Sequence, residues 1–256
     1  MSHSSLFILF ALTAMVYAMA GFGGGSTYSA LLALAGADHT VIPLVALVCN
    51  LVVVTGGVIQ YLRVGCLKFA MVAPFALASV PFAFLGGTLD LSEQAFRLIL
   101  GIMLVLSGLI MLGPGNSRNQ DNQPDNRVAW LVALPIGAVL GLLAGITGIG
   151  GGIFLGPLLH LSGWAESRVI AATTSAFILV NSLAGLAGHL GKWGTSVFDS
   201  NLGPLIWLPL AVLLGGQIGS ILGVGRYGDR FIRWITTFLV LYVGIRLLVS
   251  VAGLTA

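Results

Sequence analysis

An all-α integral membrane protein built from two inverted repeats is the fold class this sequence predicts, and three observations predict it. The cluster Gly21-Phe22-Gly23-Gly24-Gly25 recurs 127 positions later (148 − 21 = 127) as Gly148-Ile149-Gly150-Gly151-Gly152. The chain is 57% hydrophobic and 7% charged, with mean hydropathy +1.04. A soluble domain of this length has no core able to hide so much apolar surface. Finally, apolar runs follow one another in the same order in both halves.

The first half has runs near 5–20, 24–36, 41–62, 69–88 and 95–113. The second has them near 128–147, 152–163, 169–190, 203–223 and 231–254. Residues 6–20 end in Ala18-Met19-Ala20 and so mimic a signal peptide. No basic residue precedes that run, and the same kind of segment recurs internally, so 5–20 reads as a retained helix. Three clustered glycines should then break it, because each weakens a helix by roughly 1 kcal/mol relative to alanine. The second run of each half is too short to cross the hydrocarbon upright, which takes roughly 20 residues. The first two runs therefore predict a glycine-broken hairpin returning to its starting side, whether re-entrant or spanning. Three longer runs follow as transmembrane helices.

The polar stretch 114–127 reads as a solvated linker between repeats 5–113 and 128–254. The whole chain, 1–256, reads as a single membrane transport domain, since neither repeat would seal a site alone. An odd net number of crossings per repeat inverts the second relative to the first. The charges agree with that parity. With the N-terminus on one side, Arg97 and Lys192 share that side. Arg63, Lys68, Arg118, Arg127, Arg168, Arg226, Arg230 and Arg233 fall on the other. The basic side should be cytoplasmic, leaving both termini periplasmic and the protein in the inner membrane. The net charge of +3 is no sign of nucleic-acid binding, because the basic residues flank membrane segments.

The expected chemistry follows from the breaks. Irregular backbone inside lipid is tolerated where protein or a polar cavity satisfies it. Short helices should start at about Ser26 and Ile153, and helix starts carry free N–H groups and partial positive charge. Glycines let a ligand approach those N–H groups closely. Inverted repeats would bring the two starts together at a central cavity suited to a small oxyanion. The candidate substrate-binding residues are Gly23, Gly24, Gly25, Ser26, Thr27 and Asn50 in the first half. Gly150, Gly151, Gly152, Thr173, Thr174, Ser175 and Asn181 are their counterparts in the second. The plainer reading of the glycines is close helix packing, and of the asparagines hydrogen bonding between helices. Gln217 and Thr88 read as packing features.

All eight acidic residues fall between apolar runs, which argues against a carboxylate sodium site or proton relay. His189 near a helix end can carry a proton, though an interfacial role is the plainer reading, and His160 is ambiguous in the same way. Cys49 and Cys66 lie about 25 Å apart along a continuous helix, too far for a disulfide. No spacing suggests a metal, no cofactor is implied, and nothing in the sequence sets an oligomeric state.

The segment Gly145-Ile146-Thr147-Gly148-Ile149-Gly150-Gly151-Gly152-Ile153-Phe154-Leu155-Gly156-Pro157 resembles the repeated motif of the TauE/SafE sulfite-exporter family. The first copy, Ala20-Gly21-Phe22-Gly23-Gly24-Gly25, is similar, with Ala30 where the second copy has Pro157. Ala172-Thr173-Thr174-Ser175-Ala176, Leu214-Gly215-Gly216-Gln217-Ile218-Gly219 and the Arg-flanked last helix follow the same family order. The resemblance implies an inner-membrane permease, not an enzyme, for sulfite, sulfonates or related organosulfur anions. Two other classes stay open at this stage. One is a channel or permease for another small solute. The other is an intramembrane serine protease with Ser26 as nucleophile and His189 or His160 as base.

Overall fold

The computed structural model describes residues 3–19, 21–113, 126–162, 164–193, 205, 207–223 and 229–252. Most of the 114–127 linker lies outside these. Among the described residues there are ten helices and no strand. The first half contains α1 (His3–Met19), α2 (Gly25–Leu34), α3 (Val41–Arg63), α4 (Phe69–Thr88) and α5 (Glu93–Leu112). The second contains α6 (Asn126–Thr147), α7 (Gly152–Ser162), α8 (Ser167–Trp193), α9 (Leu208–Gly223) and α10 (Asp229–Val251). Five helices are long and apolar enough to cross a membrane: α3 over Val41–Arg63, α4, α5 over Glu93–Ile110, α6 over Trp130–Thr147 and α8 over Arg168–Lys192.

Helix ends follow from glycine. Gly21 has φ +76°; its N–H donates to Ala18 O at 3.2 Å, and the Phe22 N–H donates to Tyr17 O at 2.9 Å. That pair of bonds closes a helix around a left-handed residue, a conformation only glycine takes without penalty. Gly24, φ +86°, then caps α2, its carbonyl accepting from Thr27 N and Tyr28 N, both at 3.0 Å. The second elbow also turns at left-handed glycines: the Gly148 (φ +73°) N–H donates to Ala144 O at 2.9 Å, and the Gly151 (φ +75°) carbonyl accepts from Phe154 N and Leu155 N. The α2 and α7 starts thus differ by one residue from the expected Ser26 and Ile153.

Pro157 lies inside α7 and supplies no N–H to Ile153 O four residues back. Ser107 of α5 donates its hydroxyl to that carbonyl at 3.5 Å. The hydroxyl satisfies a backbone group that lipid could not.

The halves interlock. The first helix of each packs on the fourth of the other, α1 on α9 and α6 on α4. The third helices pack on the other half's fourth, α3 on α9 and α8 on α4. Like pairs with like for α3 with α8 and α5 with α10. Glycines spaced by four make the closest seams. A Cβ on Gly137, Gly141 or Gly145 of α6 would fall on the carbonyl oxygen of Phe75, Ser79 or Ala83 of α4. A Cβ on Gly215 or Gly219 of α9 would fall on that of Ala11 or Met15 of α1. In a solvent as apolar as leucine, such backbone-to-backbone approach is a main source of helix association. Gln217, read as a packing feature, has its Nε2 2.8 Å from where a Gly56 Cβ would stand. Thr88 bonds only to its own helix, at Leu85 O, 2.7 Å away.

Candidate functional site

The elbows meet near the middle of α3 and α8. A Cβ on Gly25 would come within 2.9 Å of Gly148 O, so the second elbow's backbone abuts the start of α2. Asn50 of α3 lies between the two. Its Nδ2 donates to Gly148 O at 3.1 Å, and its carboxamide covers the spaces that side chains on Gly23 and Gly25 would need. The Gly150 position faces the same amide at 3.1 Å and Ser182 Oγ at 3.3 Å. The Gly152 position meets Ile178 and, at 2.8 Å, Thr174 Cγ2. The expected open cavity is thus closed over. Glycines that would admit a ligand here admit the Asn50 side chain.

Each elbow also leans on the third helix of the opposite half. A Cβ on Gly21 would lie 2.8 Å from Ala171 Cβ, and one on Gly148 would lie 2.6 Å from Pro43 Cα. Ser175 donates to Gly21 O at 2.6 Å, as Asn50 donates to Gly148 O. Ser29 donates to Thr147 O at 3.2 Å. Carbonyls released by the breaks are therefore capped by side chains crossing between the halves.

All thirteen candidate residues are buried. They divide by partner. Ser26 and Thr27 turn toward α1, with Tyr17 Oη 3.4 Å from Ser26 Oγ and 2.8 Å from Thr27 Oγ1. Ser175 and the Asn50 amide nitrogen serve the backbone. Asn50 Oδ1, Thr173 Oγ1, Thr174 Oγ1 and both polar atoms of Asn181 are buried without a hydrogen-bond partner. Asn181 lies three residues beyond Ile178, which touches both elbows, and so shares that face by helical spacing. Asn50 and Asn181 are thus not equivalent: one bridges the elbows and the other keeps its full hydrogen-bonding capacity.

Sequence reasoning missed two further unpartnered groups. Ser182 Oγ approaches the second elbow, and Tyr28 Oη lies 2.9 Å from where a Gly24 Cβ would stand, its ring stacked on Phe10 at 4.7 Å between centroids. Ser182 adjoins Asn181, and Tyr28 sits beside Ser26, Thr27 and Ser29, so each has polar neighbours in the sequence.

No Lys, Arg, Asp or Glu is among the buried described residues, and no metal-ligating cluster occurs among them. The arrangement offers a negatively charged ligand neutral donors and two helix starts. Among the described residues, Ser26 and His189 do not pair with each other. Ser26 engages Tyr17, and His189 Nε2 engages Gly145 O at 2.9 Å. The side chain of His160 lies outside the described residues. Cys49 is buried and Cys66 half-buried, both as free thiols.

A multi-pass helical bundle with two glycine elbows meeting at its centre has the form of a membrane transporter. The TauE/SafE sulfite exporter family model matches residues 6–247, and the chain belongs to that family. It is 35% identical to a probable membrane transporter protein, y4hK, of Sinorhizobium fredii (strain NBRC 101917 / NGR234), over 95% of this chain and 97% of that one. It is 24% identical to the probable membrane transporter protein YjnA of Bacillus subtilis (strain 168), over 90% of this chain and 93% of that one. No solved structure matches it.

Proposed function

We propose that this transporter moves a small sulfur-containing oxyanion, such as sulfite, a sulfonate or a related organosulfur anion, across the inner membrane. One observation carries the anion reading: unpartnered buried polar atoms gather beside two helix starts, with no buried acid among the described residues. Buried polar groups in proteins are nearly always paired, so a cluster of exceptions needs a ligand-sized reason. The choice of sulfur anions rests on the family description. Alternating access between inverted halves is supported by the exchange of helix partners described above. The closed packing around Asn50 favours that cycle over a continuously open channel.

In this reading Gly23, Gly24, Gly25, Gly150, Gly151 and Gly152 present backbone N–H groups. Asn181, Thr173 and Thr174 supply side-chain donors. Asn50 joins the elbows and moves with them, while Ser26, Thr27 and Ser175 hold the elbows in shape. Both termini face the periplasm. The test is uptake and efflux of labelled sulfite, thiosulfate, sulfonates and sulfate in proteoliposomes. Saturable movement of a sulfur oxyanion is expected. Movement of none of them, by protein shown to be folded, overturns the substrate assignment.

A further inference from the structure

A second polar site lies away from the elbows, at the end of the bundle where α8 finishes. There a small cleft of about 30 Å³ is lined by His39 and Thr40 from the α2–α3 loop, Asp90, Phe96 of α5, and His189 and Lys192. That is room for one or two waters among polar partners. We propose that this cleft is a proton-binding site, with His189 Nδ1 as the acceptor, and that anion movement is coupled to the proton it holds. The inference adds to the transport reading without depending on which anion is carried.

Geometry fixes the ring. His189 is 6% exposed, and its Nε2 is 2.9 Å from Gly145 O. A carbonyl only accepts, so Nε2 carries the hydrogen and the neutral ring's lone pair is on Nδ1. That atom is buried and has no partner. Nδ1 is sealed from water in this state, so proton uptake needs the cleft to open; a hydronium then leaves water behind and the ring becomes a cation donating from both nitrogens. Gly145 lies in the last turn of α6, whose negative dipole end favours a cation.

The surrounding charges permit it. Lys192 lies three residues further along α8 and pairs with Asp90 at 2.8 Å. His39 and Asp38 pair at 3.3 Å at the α2–α3 loop. Glu93 and Arg97 of α5 pair with each other at 2.6 Å and do not line the cleft. The end of α6 contributes Ile146 to the lining and no ionisable group.

The link to transport is the carbonyl that His189 holds. Gly145 precedes the second elbow by three residues and packs against the α4 backbone, where its Cβ would lie 2.9 Å from Gly87 N. An imidazolium binds a carbonyl more tightly than a neutral ring does. Proton occupancy therefore changes the hold on the segment leading into Gly148.

The test uses the full chain in lipid nanodiscs with ¹⁵N-labelled imidazoles, the His189 signal being identified by its absence in His189→Gln. The expected result is a proton on Nε2 at alkaline pH and a second on Nδ1 as pH falls. A ring that stays neutral to pH 5 overturns the proposal. This reading needs no substrate, so it stands or falls separately from the anion assignment. In proteoliposomes enclosing a pH dye, protons moved per anion should be substantial in wild type and fall toward zero in His189→Gln. An unchanged ratio in folded variant protein also overturns it. If His189→Gln does not fold, His189→Asn supplies both the assignment and the proton-to-anion ratio.

Discussion

At the residue scale, glycines identical in sequence do different work. Gly36 and Gly148 both have left-handed backbone, at φ +76° and +73°. Nothing lies within 4 Å of a Cβ on Gly36, whereas the backbone of Pro43 lies 2.6 Å from one on Gly148. Gly36→Ala should cost about 1–2 kcal/mol for its conformation alone. Gly148→Ala should cost clearly more, because backbone cannot swing aside. Thermal melting of the two variants in detergent checks this, and equal losses would contradict it. The same geometry applies at Gly24 and Gly151. With φ at +86° and +75°, and Tyr28 and Phe177 at 2.9 and 3.0 Å, alanine there should impair folding as well as transport.

Asp38 gives a pH prediction outside the membrane spans. Its Oδ1 accepts from the Thr40 backbone N–H at 2.9 Å and from the Thr40 hydroxyl at 2.8 Å, and these bonds hold the carboxyl below its ordinary range. A depressed carboxyl pKa means the stabilisation is complete above about pH 4 and lost as pH falls through the folded value. Thr40→Val removes the hydroxyl bond and keeps the backbone one, so the Asp38 titration by carboxyl ¹³C NMR should move part of the way up. No movement would contradict the role of the hydroxyl. Much at this scale was legible, since both elbows and both asparagines stand out as matched pairs. The difference between Asn50 and Asn181 was not, because it depends on which carbonyl a tertiary contact brings within reach. Ser26 and Thr27 read as donors to a ligand, but rotation of α2 about its axis, invisible in the sequence, turns them onto Tyr17.

At the element scale, helix number and order followed directly from apolar runs punctuated by glycine and polar residues. The start of α9 is the least readable: the run begins at 203 and the helix at Leu208, with 201–204 and 206 outside the described residues. Partner choice was not legible, because every apolar helix looks alike in lipid until its small residues find a backbone to approach. That contact can be tested on both seams together. Gly141→Val and Gly215→Val should each lower folded yield and melting temperature, since even a Cβ falls on the carbonyl of Ser79 or Ala11. Gly191→Ala in α8 has nothing within 4 Å and should be neutral or stabilising by up to about 1 kcal/mol through helix propensity. Comparable loss in all three would remove the seams as the explanation.

At the scale of the whole molecule, the two halves share one candidate site, and their opposite orientation is a proposal. Orientation is checked by reporter fusions. One placed after Ala256 should behave as periplasmic and one inside 114–127 as cytoplasmic, because basic residues concentrate on the linker's side. Both reading on the same side would end the inverted-repeat proposal. The proposed parity rests on charge alone, and the way each half's elbow rests on the other's third helix was not legible, because it exists only once the halves have interlocked.

The central claim is that Asn181 faces an anion beside the paired elbows. Transport of labelled sulfite or a sulfonate in proteoliposomes, corrected for folded protein, tests it most directly when wild type is compared with two variants. Asn181→Leu should weaken binding by roughly 1–3 kcal/mol, the usual cost of a lost buried hydrogen-bond partner. Asn181→Asp should be worse, because it sets a negative charge beside a negative substrate. Transport by the aspartate variant at the wild-type rate and affinity would show that the anion does not meet Asn181 and would contradict the account.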